Sequence, residues 1–315
     1  MSCLVPTCNN DHRFVFFAYD CCASYLFYMV FLHCISHNTC GDVMTSVYFG
    51  SRFMSSPQAP AIIVTEEEAG IFHLRLSNGA RRNPLSLAVL QDISAALDEM
   101  ERSQNVHVLV ISAEGPAFCA GHDLKELHQR KEEPEFVREL FVTCSDVMKK
   151  IVRFAAPTIV LVDGIATAAG CQMVASCDVA LATPRAQFGT PGVKIGLFCS
   201  TPMVALSRKV GHAAAMEMLL TGRHIGADEA CQKGLVTKTV RSEDLWEQGL
   251  EMARVIAGFS SKTLSIGKEA FYRQSELSLD DAYDYAAGVM AHNMGLPDAH
   301  EGIAAFLEKR TPTWE

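Results

Sequence analysis

Hydrophobic and polar residues alternate from residue 61 onward, and the pattern predicts a β-hairpin at the start of the folded chain. The stretch "AIIVTEEEAGIFHLRLSN" contains two alternating runs on either side of Glu-Ala-Gly, which suits a turn between antiparallel strands. Apolar residues then recur at helical spacing: Leu90, Ile93, Leu97 and Met100. We expect Asn83 to cap this helix, with Pro84 in its first position.

Longer apolar segments predict buried strands further along the chain. "VHVLVIS" at 106–112 has the uninterrupted apolar character of a strand that is buried on both faces. "PTIVLVDG", "DVALAT" and "AQFGT" supply further strands, and we expect helices at 135–154 and 169–176. After about residue 200 the patterns are helical. Strands that alternate with helices indicate an α/β core with a mostly parallel sheet, followed by a helical C-terminal region.

The first 55 residues differ from the rest in composition. "FVFFAYDCCASYLFYMVFLHCI" has nearly the length of a membrane helix, but Asp20 and His33 interrupt it. "GSRFMSSP" at 50–57 is typical of the Arg- and Ser-rich end of a mitochondrial presequence. We therefore interpret residues 1–55 as a targeting or non-native segment, with a membrane anchor as the alternative.

Charge and cysteine spacing exclude several classes of function. The 315-residue chain has a formal net charge of −9, which argues against a nucleic-acid binder because such proteins carry a basic surface. Its 12 cysteines include no Cys-x-x-Cys pair, so neither a zinc ribbon nor a redox motif is predicted. The 11 histidines are dispersed, and we expect no metal site.

Two stretches have the composition of tight turns that lead into helices. In "AFCAGHDL", Asp123 and Glu126 have the spacing of a helix start, so we favour a capping role for both acids. Gly121 and His122 precede that start, where backbone N–H groups are free.

The second stretch is "ATAAGCQMVA", which places Ala169 and Gly170 at a helix N-terminus with unpaired N–H groups. Two N–H groups from separate turns can stabilise negative charge on one carbonyl oxygen, as an oxyanion hole does. Close packing of helix against sheet is the alternative explanation for the same small residues.

Three segments together resemble the crotonase (enoyl-CoA hydratase/isomerase) superfamily. They are "AFCAGHDLKEL", "VDGIATAAGCQMVASCDVALATPRAQFGTPGVKIGL" and "AMEMLLTGRHIGADEACQKGLV", and the similarity covers roughly residues 61–312. The resemblance implies a crotonase-like spiral of ββα units at 56–260 and a helical trimerisation region at 261–315. It also implies a homotrimer or homohexamer that binds an acyl-CoA thioester, with coenzyme A present only as part of the substrate. The most similar members are mitochondrial, so we expect that location.

The resemblance assigns roles to individual residues. The oxyanion hole would use the backbone N–H groups of His122 and Ala169. Arg81 and Arg82 would bind the phosphates of coenzyme A, for which guanidinium groups are suited, although a solvated basic loop is the alternative. The other substrate-binding residues would be Ala120, Gly121, Asp123, Leu124, Gly170, Pro191, Phe306 and Lys309.

Two departures from the family pattern concern catalysis. Active hydratases of the superfamily use two glutamates, which correspond here to Gln172 and Gly192. A glutamine amide has no titratable proton and cannot act as a general base, and a glycine has no side chain at all. The His122 imidazole could orient a ligand or transfer a proton, as the Gln172 amide could orient one, or His122 could simply be hydrogen-bonded at the helix start.

The resemblance therefore implies an acyl-CoA-binding protein of fatty acid and lipid metabolism, and the two departures indicate that it lacks the usual hydration chemistry. The alternatives are a non-hydratase acyl-CoA lyase, such as a methylmalonyl-CoA-type decarboxylase, and a weak enoyl-CoA hydratase. Cys199 is either a pocket residue or, preferably, a buried structural thiol, and Asp163 is expected to form a turn.

Overall fold

The computed structural model describes residues 46–47 and 60–314. The strands are β1 (Ser46–Val47), β2 (Ile62–Glu68), β3 (Ile71–Leu76), β4 (Val108–Ala113), β5 (Ala117–Cys119), β6 (Thr158–Val162), β7 (Ile165–Thr167), β8 (Val179–Ala182), β9 (Gln187–Gly189), β10 (His224–Gly226) and β11 (Lys238–Thr239). The α-helices are α1 (Leu87–Ser103), α2 (Leu124–Gln129), α3 (Pro134–Arg153), α4 (Ala169–Ser176), α5 (Ser200–Lys209), α6 (His212–Thr221), α7 (Ala227–Gln232), α8 (Leu245–Ala257), α9 (Ser261–Gln274), α10 (Leu279–Met294) and α11 (Pro297–Glu308).

The larger sheet has the strand order β1-β2-β3-β4-β6-β8-β11. The predicted hairpin is confirmed, because β2 and β3 pair antiparallel around a turn in which Gly70 has φ +76°. From β3 to β11 every neighbouring pair is parallel. All five residues of β6 are buried, as the continuous apolar pattern predicts for a strand covered on both faces.

The smaller sheet has the order β10-β9-β7-β5, and it carries the two turns singled out above. Strands β5, β7 and β9 are parallel, so their carboxyl ends lie at the same edge. The turn at 120–123 follows β5, and the turn at 168–170 follows β7. Parallel pairing thus brings together two segments that are about fifty residues apart in sequence.

The helix predicted behind Leu90 and Met100 exists, but its predicted start is wrong. Helix α1 begins at Leu87, and the Ser86 hydroxyl caps it by accepting a hydrogen bond from the N–H of Val89. Asn83 is instead buried in a left-handed conformation with φ +51°. Its Nδ2 donates to the carbonyl oxygens of three residues on the neighbouring loop and strand: Glu114, Ala117 and Phe118. The amide is used to hold the chain around β5 and is not free to cap a helix.

The predicted helix at 135–154 corresponds to α3, whose apolar side packs into the core. The C-terminal helices differ, because neither α9 nor α10 contains a buried residue. Large apolar side chains are exposed on α9, α10 and α11: Phe271, Leu279, Tyr283, Met290, Met294, Ile303, Phe306 and Leu307. This region therefore presents an uncovered apolar surface in the single protomer.

Among residues 46–47 and 60–314, no helix has the length and apolar character needed to span a bilayer. The predicted targeting segment and its membrane-anchor alternative lie outside the described residues, apart from the short strand β1.

Candidate functional site

The turns after β5 and β7 are in contact, and glycines allow it. A Cβ atom on Gly121 would lie 3.1 Å from the Cβ of Ala168 and 3.5 Å from the backbone nitrogen of Ala169. A Cβ atom on Gly170 would lie 2.5 Å from the carbonyl oxygen of Cys119. Gly121 also has φ +85°, a conformation that favours glycine. Close helix–strand packing and the approach of the two turns are therefore achieved by the same residues.

Ala168 holds an unusual backbone conformation directly before α4. Its φ is +51° and its ψ is −116°, a backbone conformation that residues with a Cβ atom rarely adopt. Such a conformation costs about 1–3 kcal/mol and persists only where surrounding structure enforces it. Here the N–H of Ala168 donates to the carbonyl oxygen of Gly189 at 2.9 Å, which ties the turn to β9.

The backbone N–H groups of His122 and Ala169 are both free. The chain around His122 is held by two bonds with Leu85: Leu85 donates to the Gly121 oxygen at 2.8 Å, and Asp123 donates to the Leu85 oxygen at 3.3 Å. Neither bond uses the N–H of His122, and within residues 60–314 no acceptor lies on it or on the N–H of Ala169. Ala169 is the first residue of α4, where N–H groups have no partner within the helix.

Both residues border a cavity of about 500 Å³. The cavity walls come from the two turns, from α2 and α3, and from the segment 191–202. Its lining residues are Ala120, His122, Leu124, Leu127, Phe141, Thr167, Ala168, Ala169, Pro191, Gly192, Lys194, Ile195, Leu197, Phe198, Cys199, Ser200, Thr201 and Pro202. Most of these side chains are apolar, so a carbonyl group held at the two N–H groups would lie in largely apolar surroundings.

Asp123 caps α2 as the sequence predicts. Its Oδ1 accepts hydrogen bonds from the N–H groups of Lys125 at 3.0 Å and Glu126 at 3.4 Å. The capping role expected for Glu126 is wrong, because its Oε2 accepts from the N–H of Leu87 at 3.1 Å. Glu126 thereby caps the neighbouring helix α1, whose first turn also lacks internal acceptors.

The His122 side chain is half-buried beside the cavity. Its Nδ1 lies 3.3 Å from the carbonyl oxygen of Leu85, and its ring meets that of Phe141 edge-on at 5.1 Å. A carbonyl oxygen only accepts, so Nδ1 is the protonated nitrogen and donates. Burial lowers the pKa of His122, with the Leu85 carbonyl opposing this effect. The ring is therefore neutral near pH 7, with an acceptor lone pair on Nε2.

Gln172 and Gly192, which stand where active family members have glutamates, lie in different surroundings. Gln172 is 4% exposed, does not line the cavity, and its Oε1 has no hydrogen-bond partner among the described residues. Gly192 lines the cavity, but a Cβ atom there would lie 2.5 Å from the carbonyl oxygen of Leu197 and 2.9 Å from the Sγ of Cys199. The segment 197–199 occupies the space that a second catalytic side chain would need.

Comparison with known proteins now identifies the family. A family model described as enoyl-CoA hydratase/isomerase matches residues 66–315. The chain belongs to the enoyl-CoA hydratase/isomerase family.

Members of this family with similar sequences include two mammalian mitochondrial proteins. The chain is 45% identical over 266 residues to enoyl-CoA hydratase domain-containing protein 3, mitochondrial, from Rattus norvegicus, covering 84% of this chain and 88% of the relative. The protein of the same name from Homo sapiens is 46% identical over 245 residues, covering 78% and 80%. These relatives confirm the predicted mitochondrial location.

Solved structures confirm the predicted crotonase fold. The human enoyl coenzyme A hydratase domain-containing protein 3 superposes with a TM-score of 0.78 at 45% identity, covering 81% of this chain and 100% of that one. An enoyl-CoA hydratase from Mycobacterium smegmatis superposes with a TM-score of 0.79 at 45% identity, covering 81% and 99%.

The structure brings together only some of the residues that the family resemblance assigns to the ligand. Those that line the cavity are Ala120, His122, Leu124, Ala169, Pro191 and Gly192. Gly121, Asp123 and Gly170 lie within the two turns but do not line it. The exposed residues Arg81 and Arg82 are next to it, because the N–H of Ala120 donates to the Arg82 oxygen at 3.0 Å. Arg81 also pairs with Asp123 at 2.8 Å.

Phe306 and Lys309 lie outside the cavity of the same protomer. Phe306, on α11, is 81% exposed, and Lys309 follows the helix in a left-handed conformation with φ +57°. Neither residue is among those that line the cavity.

Several residues that line the cavity were not predicted from the sequence, among them Thr167 and Lys194. Thr167 ends β7, and Lys194 lies in a 3₁₀ helix, Pro191–Ile195. The signal for Thr167 was its place in "ATAAG", directly before the turn. Cys199 satisfies both of its interpretations, since it lines the cavity and is 8% exposed, and burial raises the pKa of its thiol.

Asp163 directly precedes Gly164, which has φ +84°, so a turn is present where the sequence predicts one. The Asp163 carboxylate also accepts from the hydroxyl of Thr183 at 2.7 Å and pairs with Arg185. The hydrogen bond from Arg185 is the main cause that lowers the pKa of Asp163. Over the described ranges, no three His, Cys, Asp or Glu side chains are grouped as metal ligands.

Proposed function

We propose that this protein binds an acyl-CoA thioester in the cavity and acts in fatty acid and lipid metabolism. In this proposal the thioester carbonyl accepts hydrogen bonds from the N–H groups of His122 and Ala169. The observation that carries it is that two free N–H groups from separate turns border one largely apolar cavity. The N-terminus of α4 adds a positive dipole at the same place.

The rest of the coenzyme would bind at the turn after β5. Ala120, Leu124 and Pro191 line the cavity beside His122, and the exposed Arg81 and Arg82 adjoin it through the backbone. Guanidinium groups bind phosphate through paired hydrogen bonds, which suits the phosphate-rich end of coenzyme A. Gly121 and Gly170 would act by keeping the turns close, and Asp123 by fixing Arg81 and the start of α2. The coenzyme enters only as part of the substrate.

The usual hydration of an enoyl thioester is not part of the proposal. Hydratases of this family use carboxylates to take a proton from water, and the two expected positions hold a buried amide and a glycine. The neutral His122 ring remains beside the cavity, where it can orient a polar ligand group or exchange a proton, and a weak hydratase would have to rely on it.

A lyase of the methylmalonyl-CoA decarboxylase type is the second candidate. The observation that favours it is a pair of N–H donors without a carboxylate base. When a carboxylated acyl group loses carbon dioxide, the electron pair of the broken C–C bond moves into the thioester and forms an enolate. The two N–H groups would stabilise the enolate oxygen, and no general base is needed for that step.

A homotrimer or homohexamer is proposed as the working assembly. Supporting this, α9, α10 and α11 expose large apolar side chains in the single protomer, and neither α9 nor α10 has a buried residue. In the assembly, Phe306 and Lys309 would reach the ligand of a neighbouring protomer.

The experiment is to present the full-length protein with crotonyl-, methylmalonyl- and long-chain acyl-CoA, following binding by calorimetry and products by mass spectrometry. With a ¹³C-labelled thioester carbonyl, infrared spectra should show the C=O stretch moved to lower frequency on binding. His122→Ala should keep that shift because the backbone N–H remains, while Gly121→Val should remove it by separating the turns. Rapid hydration of crotonyl-CoA would refute the inference that Gln172 and Gly192 leave the protein without hydration chemistry. An unshifted carbonyl band would refute the oxyanion hole.

A further inference from the structure

The cavity lining contains polar residues that none of the roles assigned above uses. Two of them are Thr167 at the end of β7 and Lys194 from the 3₁₀ helix Pro191–Ile195. Both residues line the same cavity as His122 and Ala169. A group attached to a thioester whose carbonyl is held at those two N–H groups would therefore share the cavity with Thr167 and Lys194.

The register of the smaller sheet fixes the Thr167 hydroxyl. Strands β7, β9 and β10 place Thr167, Gly189 and His224 side by side. A Cβ atom on Gly189 would lie 2.8 Å from Cδ2 of His224, so the imidazole occupies the space that a side chain there would fill. Across this gap, Nε2 of His224 lies 3.3 Å from Oγ1 of Thr167, and the Thr167 hydroxyl donates to the Gly189 carbonyl oxygen at 3.4 Å. His224 is thus a positioning residue for a hydroxyl that lines the cavity.

Within residues 60–314, the exposed Lys194 has no carboxylate partner for its charge. The cavity lining contains no Asp or Glu, and among residues 60–314 no carboxylate lies within ion-pair distance of Lys194. The neighbouring Arg223, in contrast, is paired with Glu217 and Glu229. A Cβ atom on Gly222 would lie 3.3 Å from Cε of Lys194, so the lysine stem lies against that turn.

The charge of Lys194 also acts on His224. The pKa of His224 is lowered, first by burial and second by the positive charge of Lys194. Thr167 and Lys194 bring a hydroxyl and an unpaired positive charge to the same cavity. A hydroxyl and an ammonium group are together suited to a carboxylate, for which the hydroxyl would exchange its 3.4 Å bond to the Gly189 carbonyl oxygen.

We propose that Thr167 and Lys194 form a subsite for a carboxylate at the free end of the acyl group. The preferred ligand is then the coenzyme A thioester of a dicarboxylic acid. This inference rests on the proposed binding of an acyl-CoA thioester. The phosphates of coenzyme A are the other source of negative charge, but Arg81 and Arg82 lie at the turn after β5, outside the cavity lining.

The test compares matched ligands by calorimetry on the full-length protein. Succinyl-, glutaryl- and adipyl-CoA are each measured against the neutral thioester with the same number of acyl carbons, and free coenzyme A is measured alongside. At the best chain length, we expect the dicarboxylyl ester to bind about tenfold more tightly than its neutral partner. Lys194→Met should abolish that ratio, and Thr167→Val should reduce it.

Lys125→Met is the matched control, because Lys125 is exposed on α2 between Leu124 and Leu127 and does not line the cavity. It should leave the ratio unchanged. His224→Phe should lower the ratio without changing binding of the neutral esters, a split that a general loss of folding would not give. Thermal unfolding of each variant verifies that it is folded.

Equal binding of charged and neutral esters by the unaltered protein at every chain length would overturn the subsite. So would an equal loss of affinity for free coenzyme A and for all esters in Lys194→Met, since the lysine would then contact the phosphates. If no thioester binds at all, the proposed function fails as well. Binding of the neutral esters alone leaves that function standing and removes only the carboxylate subsite.

Discussion

A side chain on Gly192 would begin 2.9 Å from the Sγ atom of Cys199, closer than real Cβ contacts allow. The carbonyl oxygen of Leu197, at 2.5 Å, obstructs the same position and belongs to the backbone. Gly192→Ala should therefore lower the free energy of unfolding by about 1–3 kcal/mol through overpacking. Urea denaturation measures this change.

Gly267→Ala is the control for that substitution, because a Cβ atom on this helical glycine of α9 meets nothing within 4 Å. It should raise stability by about 0.5–1 kcal/mol. The double variant Gly192→Ala/Cys199→Ala should recover only part of the loss, since the Leu197 carbonyl remains. Full recovery would show that the thiol alone fills the space.

Gln172 should tolerate an apolar replacement better than a charged one. Gln172→Met exchanges a buried amide with an unpartnered Oε1 for a side chain of similar size, and should change stability by less than about 1 kcal/mol. Gln172→Glu buries a carboxyl group and should cost about 2–4 kcal/mol at neutral pH. Burial raises the folded-state pKa of this acid, so the cost should vanish as the pH falls below about 4. Denaturation at several pH values checks both, and a pH-independent cost would contradict the explanation.

The imidazole of His122 should titrate below its ordinary pKa of 6.5, because burial lowers that pKa. The unfolded chain then binds the proton more readily than the folded one. The stability that the neutral His122 ring contributes is therefore fully present above pH 6.5 and is lost as the pH falls below that value. The NMR titration of the ring gives the pKa directly. Comparing the unfolding free energy of the protein with that of His122→Gln at about pH 7.5 and about pH 5 isolates this residue from the other histidines.

Ala168→Gly should stabilise the protein, because glycine adopts a positive φ without strain and is favoured over alanine directly before a helix. The positive φ of Ala168 costs about 1–3 kcal/mol, whereas the extra freedom of glycine in the unfolded chain costs about 0.5–1 kcal/mol. We expect a net gain of about 1 kcal/mol in denaturation experiments. If Ala168→Gly and Ala175→Gly, in the buried α4, lower the free energy of unfolding equally, the conformation of Ala168 is not strained.

The exposed apolar surface of the C-terminal helices predicts self-association. Light scattering coupled to size exclusion should give three or six times the protomer mass. Phe306→Glu places a charge on that surface and should shift the mass toward the protomer, with weaker acyl-CoA binding if Phe306 covers a neighbour's ligand. Arg102→Glu, on the exposed C-terminal end of α1, serves as the charge-changing control and should leave the mass unchanged. A protomer mass for the unaltered protein would refute the assembly.

The sequence predicted most strands and helices because their apolar patterns are long. The strand at 106–112 and the helix with Leu90 and Met100 each bury a regular set of side chains. The error at Asn83 arose where two local solutions compete, because Ser86 also fits a cap and the Asn83 amide has three carbonyl partners elsewhere. Only tertiary contacts decide between them.

The site was predictable only in part, because some of its residues are placed by tertiary contacts. The turns containing Gly121 and Gly170 have a composition that indicates close backbone approach, and they do meet. Lys194 gave no pattern of its own. Thr167 directly precedes the turn in "ATAAG", but its role depends on strand pairing with Gly189 and on a third strand that carries His224. Such lateral relations link residues that are distant in sequence and are not visible as periodicity.

The amide of Asn83 has a consequence for a position outside the cavity. Its two N–H bonds are shared among three carbonyl oxygens around β5, the strand that delivers Ala120 and His122 to the cavity. A substitution at residue 83 would deprive two buried carbonyl oxygens and one partly buried carbonyl oxygen of this donor, and that strand end would drift. It should therefore weaken ligand binding as a change in the cavity lining would, although residue 83 is not part of that lining.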